Sequence, residues 1–124
     1  MKRILICALS LVLLVLSFCA CAKIASSEKV DERLSKLGYN VIIDYDGIPA
    51  MIQAKCGTNC KLLVATKPEN NGMINAFYFN SKKDATDSLS FIKEWASINY
   101  PGQEVRINDK VVYLGSDQGL KDFK

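Results

Sequence analysis

Residues 73–98 read MINAFYFNSKKDATDSLSFIKEWASI, and the change of period inside this stretch decides the fold. Met73 to Phe79 alternates as a strand does, sending Phe77 and Phe79 to one face and Tyr78 to the other. From Ser81 the spacing becomes helical: Ala85, Leu89, Ile92 and Ala96 recur on one stripe, with Ser88, Phe91 and Trp95 widening it. Ser81-Lys82-Lys83-Asp84 has a capping-box arrangement, so a helix is predicted over Lys82 to Ile98, ended by Tyr100-Pro101-Gly102. A strand feeding an amphipathic helix implies a sheet with a helix laid on it. Phe77, Phe79, Phe91 and Trp95 are expected to fill the space between, and a ligand pocket floored by them is the functional alternative.

The flanking segments extend the pattern. Ser27 caps a predicted helix over Glu28 to Leu37, with Val30, Leu34 and Leu37 as its apolar stripe and Gly38 as its stop. Tyr39 to Tyr45 alternates, and Asp46-Gly47 is a type I′ hairpin signal, so a return strand is predicted over Ile48 to Lys55, with Pro49 marking a sheet edge. A second reversal at Cys56 to Cys60 feeds the strand Leu62 to Thr66, and Lys67 to Gly72 is dense in turn formers. After the long helix, Gln103 to Ile107 and Lys110 to Leu114 make a hairpin about Asn108-Asp109, and Asp117 to Phe123 a last short helix. The expected class is α+β: an antiparallel sheet (meander plus hairpin) with helices packed on one face, in the order α-β-β-β-β-α-β-β-α.

The first twenty-two residues differ in kind. Lys2 and Arg3 precede an almost wholly apolar run from Ile4 to Leu16, and small residues close the segment, the layout of an export signal. Its end, Phe18-Cys19-Ala20-Cys21, resembles the lipid-attachment motif of bacterial lipoproteins, with Phe18 where Leu is usual. The resemblance implies cleavage before Cys21 and acylation of that thiol, each buried methylene adding about 0.8 kcal/mol of membrane affinity. It divides the chain into a signal over residues 1–20, a lipidated cysteine and tether over 21–27, and one domain over 28–124. Two other readings stay open: ordinary cleavage after Ala22 releasing a soluble chain, and an uncut span from Ile4 to Ala22. The lipoprotein reading implies a chain anchored outside the cytoplasm, in the cell membrane or an outer membrane.

Composition narrows the chemistry. There is no histidine, which removes Ser-His-Asp and Cys-His catalysis and every histidine-containing metal site. The net charge of +3 includes Lys2 and Arg3, and the remainder is nearly neutral with no basic run, so nucleic-acid binding has no support. No catalytic residue, metal ligand or cofactor is expected.

Cys56 and Cys60 flank Gly57-Thr58-Asn59 and are expected to form a structural disulfide in an exported chain. Two free thiols, or a redox or metal-binding pair, are the competing readings. Asp44-Tyr45-Asp46-Gly47 lacks the distal Glu of a calcium loop, and its aspartates read as solvated turn residues. Asp84 and Asp87 suit the positive end of a helix. Tyr78, with Tyr39 or Tyr45, is a candidate partner surface. The function expected is a non-enzymatic, lipid-anchored envelope protein that contacts the bilayer through Cys21 and binds an envelope protein or small ligand. The alternative is an extracytoplasmic thiol redox or metal-binding module using Cys56 and Cys60.

Overall fold

Among the described residues, five antiparallel strands form one sheet, in the spatial order Asn40–Asp44, Cys60–Lys67, Gly72–Phe79, Val111–Gly115, Arg106–Asn108, and four helices cover it. The computed structural model describes residues 24–124. The segment read as an export signal, the lipobox-like run with Cys19 and Cys21, and the first residues of the expected tether lie outside the described residues. In chain order the elements are α1 (Ser27–Lys36), β1 (Asn40–Asp44), α2 (Ile48–Cys56), β2 (Cys60–Lys67), β3 (Gly72–Phe79), α3 (Lys82–Asn99), β4 (Arg106–Asn108), β5 (Val111–Gly115) and α4 (Asp117–Phe123). A short 3₁₀ turn, Pro68–Asn70, joins β2 to β3. No helix among the described residues is long and apolar enough to cross a membrane.

The class read from the sequence, α+β on an antiparallel sheet, is the one found, and its centre is the predicted strand and helix. β2 and β3 pair along their whole length, from Cys60 opposite Phe79 to Lys67 opposite Gly72. Ser81 caps α3 by accepting a hydrogen bond from the Asp84 amide at 3.1 Å. The hairpin of β4 and β5 turns at Asp109, whose φ of 52° suits a tight reversal.

Two expectations are corrected. First, the segment read as a return strand is the helix α2, so the order is α-β-α-β-β-α-β-β-α. Gly47 has φ −72°, which no type I′ turn allows. Asp44 Oδ1 instead accepts from the amides of Asp46 and Gly47 at 3.0 and 3.2 Å, a local turn that launches the helix. Pro49 sits in the first helical turn, where its missing N–H costs nothing. Gly57, at φ 71°, closes the helix with its amide on the Gln53 carbonyl. Ile48, Ile52 and Cys56, four residues apart, turn inward.

Second, the helices lie on both faces. Val30 and Leu34 of α1 and Phe123 of α4 pack on Leu63, Ala65, Ile74, Ala76, Val111 and Tyr113. Ile52 of α2 and Ala85, Ile92 and Ala96 of α3 pack on Leu62, Phe77, Phe79, Val112 and Leu114. Residues on successive positions of β2, β3 and β5 thus feed alternate cores, and β5 is buried throughout. A sheet so apolar on both faces needs a helical layer on each. Leu37, placed on the α1 stripe by sequence, caps that helix and is 44% exposed.

The layers are fastened locally. Thr58, between α2 and β2, and Ser88 of α3 are both buried, their hydroxyls 2.6 Å apart. On the other face Ser116 exchanges hydrogen bonds with both backbone groups of Met73, at 3.0 Å each. Arg33 donates to the Phe123 carbonyl, and the Tyr39 hydroxyl to the Asp122 carboxylate, so α4 is tied to α1 and to the start of β1.

Candidate functional site

The described residues begin at the end of the sheet where β3 stops. Ile24 and Ala25, read as tether, pack against the α1 and α4 core, and the Tyr78 hydroxyl donates to the Ala25 carbonyl at 3.3 Å. Beside this junction lies an open cleft of about 420 Å³, lined among others by Glu28, Tyr45, Asn59, Cys60, Lys61 and Tyr78. Lys61 donates to Glu28 at 2.8 Å, and that hydrogen bond, with backbone donors and the lysine charge, lowers the Glu28 pKa from 4.5 to about 2. Burial pushes the Tyr78 phenol well above its ordinary range.

The predicted tyrosine surface is therefore divided. Tyr45, 64% exposed, and half-buried Tyr78 both line the cleft. Tyr39 is buried instead; burial and then the Asp122 carboxylate raise its pKa to about 12.

Cys56 ends α2 and Cys60 begins β2. Both are free thiols, half-buried against the α2 and α3 core. Burial, then the neighbouring Cys56, raises the Cys60 thiol to about 12. The thiolate is the form that attacks disulfides and binds metals, so this setting suppresses its reactivity. Among the described residues, no group of three or more Cys, Asp or Glu is placed to hold a metal ion. Asp44 is held below the ordinary carboxylate range by the turn amides it accepts from, and Asp87 pairs with Lys83 at 2.6 Å.

A second concavity includes Phe91 and Trp95, two of the four aromatics read from the sequence as an alternative pocket floor, but neither Phe77 nor Phe79. Between α2 and α3 runs a groove of about 260 Å³ lined by Met51, Lys55, Phe91, Glu94, Trp95, Ile98 and Asn99. Met51 is 47% and Ile98 74% exposed, although both are large and apolar. Trp95 stands edge-on to Phe77 at 5.5 Å and to Tyr100 at 5.4 Å, so its ring runs from the core to the groove floor. The aromatics expected to be pure core thus separate: Phe77 and Phe79 are buried, whereas Phe91 and Trp95 stay partly open. Lys55 on the α2 bank and Glu94 on the α3 bank enter none of the ion pairs of the described residues. The signal that would have found the groove is the helix signature of α2, which sets Met51 and Lys55 one turn apart opposite Trp95.

No family model, no curated protein and no solved structure matches this chain.

Proposed function

We propose that this chain is a non-enzymatic envelope protein, anchored outside the cytoplasm by acylated Cys21, whose domain binds another envelope component through the groove between α2 and α3. The observation that carries the binding reading is the groove itself: partly open Trp95 and Phe91, flanked by exposed Met51 and Ile98. Exposed apolar side chains gathered along one groove, rather than scattered singly, support a docking surface. Its position suits an anchored module. Residues 24–26 lie beside Phe79 and Asn80, and α3 starts at that same end. At about 1.5 Å per residue, the groove lies roughly 15–25 Å along α3 from Ser81, which leaves it clear of a membrane holding Cys21. The thiol-exchange alternative has less support, because burial holds Cys60 as the unreactive thiol.

The anchor is tested by the intact mass of the protein extracted from its native membrane fraction, with partitioning of the Cys21→Ala variant alongside. A chain starting at Cys21 with diacylglycerol mass, and release of the variant from the membrane, are expected. A chain starting at Lys23 without lipid refutes the anchor. Groove binding is tested with Ile98→Asp, which is expected to abolish association with envelope partners while leaving the fold intact.

A further inference from the structure

We infer that the component seated in the groove is a second copy of this chain, paired about a two-fold axis running along the groove. The inference rests on the reading of the groove as the docking surface and adds the identity of the partner. Its basis is the distribution of charge across the two banks. Lys55 stands on the α2 bank and Glu94 on the α3 bank, with Met51, Phe91, Trp95 and Ile98 between and beside them. A two-fold rotation about the groove lays each α2 over the partner's α3. Lys55 of each copy then faces Glu94 of the other, and each unpaired charge gains an opposite one. A surface that is self-complementary in this way is what an isologous contact requires.

Shape agrees with charge. Ile98 is the most exposed large apolar side chain of the described residues, at 74%, and stands at one end of a concavity of about 260 Å³. Across the two-fold it becomes a knob for the partner's groove, covering Trp95 and Met51. An axis along α3 also keeps the two junctions with residue 24 on the same side, as two copies in one membrane require. The sheet edges fit a partner less well. β4 is three residues long and carries Arg106, and β1 paired antiparallel with itself would set the two junctions at opposite ends.

The test uses the full chain purified in detergent from its membrane fraction, with native mass spectrometry reading subunit number and subunit mass together. A dimer is expected. Ile98→Asp is expected to leave only monomer. Lys55→Glu or Glu94→Lys alone places like charges opposite each other at two symmetry-related points and is expected to weaken the dimer about tenfold or more. The double variant, Lys55→Glu with Glu94→Lys, is expected to restore it, which a folding defect cannot do. Trp95, the sole tryptophan, gives an independent readout, since its emission shifts to the blue as the dimer forms on concentration. A lipidated chain that stays monomeric overturns the pairing while leaving the anchor. A dimer without lipid mass keeps the pairing and overturns the anchor. A dimer indifferent to Ile98→Asp and to charge reversal is formed by another face and overturns the inference.

Discussion

Replacing Gly119 by Ala sets two effects of opposite sign against each other. Gly119 lies within α4, where alanine is favoured over glycine by about 1 kcal/mol, so propensity alone predicts a more stable protein. The packing predicts the reverse. A Cβ on Gly119 would stand 2.1 Å from the Met73 carbonyl oxygen and 2.8 Å from its nitrogen, and both are backbone atoms of β3 that no rotamer change can move. Ordinary carbon–oxygen contacts begin near 3.3 Å, so α4 must lift by about 1 Å. That lift stretches both Ser116–Met73 hydrogen bonds, now 3.0 Å, each worth about 1 kcal/mol, and loosens fully buried Phe123. With about 1–3 kcal/mol for overpacking, the net loss is about 2–4 kcal/mol after the propensity gain. For a domain of this size that lowers Tm by about 10 °C or more. Thermal unfolding followed by far-ultraviolet circular dichroism measures it. Gly57→Ala serves as calibrator, since nothing lies within 4 Å of its Cβ position and only its φ of 71° is penalised, costing about 1 kcal/mol. An unchanged or raised Tm for Gly119→Ala would mean that α4 does not rest on the backbone of β3, and the reasoning fails.

Further outcomes follow from other contacts. Ile52→Ala should cost about 2–5 kcal/mol in urea unfolding, because Ile52 is the fully buried side chain of α2; a loss near zero would refute the helix-on-sheet placement. Ser88→Ala should destabilise by about 1–3 kcal/mol by stranding the Thr58 hydroxyl, and adding Thr58→Val should recover part of that loss; strict additivity would show that the 2.6 Å contact is not a coupled pair. Glu28 has a depressed pKa, so its contribution is fully present above pH 4.5 and disappears as pH falls toward 2. Lys61→Met should therefore flatten the acid limb of the stability curve in that window, and an unaltered limb would show that the pair contributes nothing. At pH 8 the Cys60 thiol, raised to about 12 by burial, should resist iodoacetamide in the folded protein and react once unfolded; rapid labelling of native protein, located by peptide mass, would contradict its burial.

The sequence is legible where local chemistry and tertiary packing agree. The Ser81 cap and the β2–β3 turn are each specified by residues within one turn of chain and form as written, whereas the last hairpin forms with its reversal one residue later, at Asp109-Lys110, because Asn108 still pairs with Val111. Ile48 to Cys56 fails because two signals there have double meanings. Asp-Gly after a strand launches a hairpin or, through the Asp44 side chain, a helix, and proline marks a sheet edge or a first helical turn. Gly57 after a segment with Ile48, Ile52 and Cys56 four apart was the cue that separates the two. The placement of helices on both faces was written in β5, whose Val111, Val112, Tyr113 and Leu114 do not alternate with polar residues; such a run belongs to a strand covered on both sides. The groove was legible on its α3 side alone, and its α2 bank was missed for the same reason as α2. Phe91 and Trp95 have the composition of a core, and only a helix beside them, too short to cover them, leaves them open.

The bonds that tie α4 to α1 and β1 join residues 83 and 90 positions apart. One side of the sheet therefore cannot be sealed until residue 123 has left the ribosome, and loop closure over that span makes sealing a late event. Until then Leu63, Ala65, Ile74 and Tyr113 present a wide oily plane, a natural grip for a holding chaperone. The export proposed above would gain from this timing, because what cannot close early stays threadable.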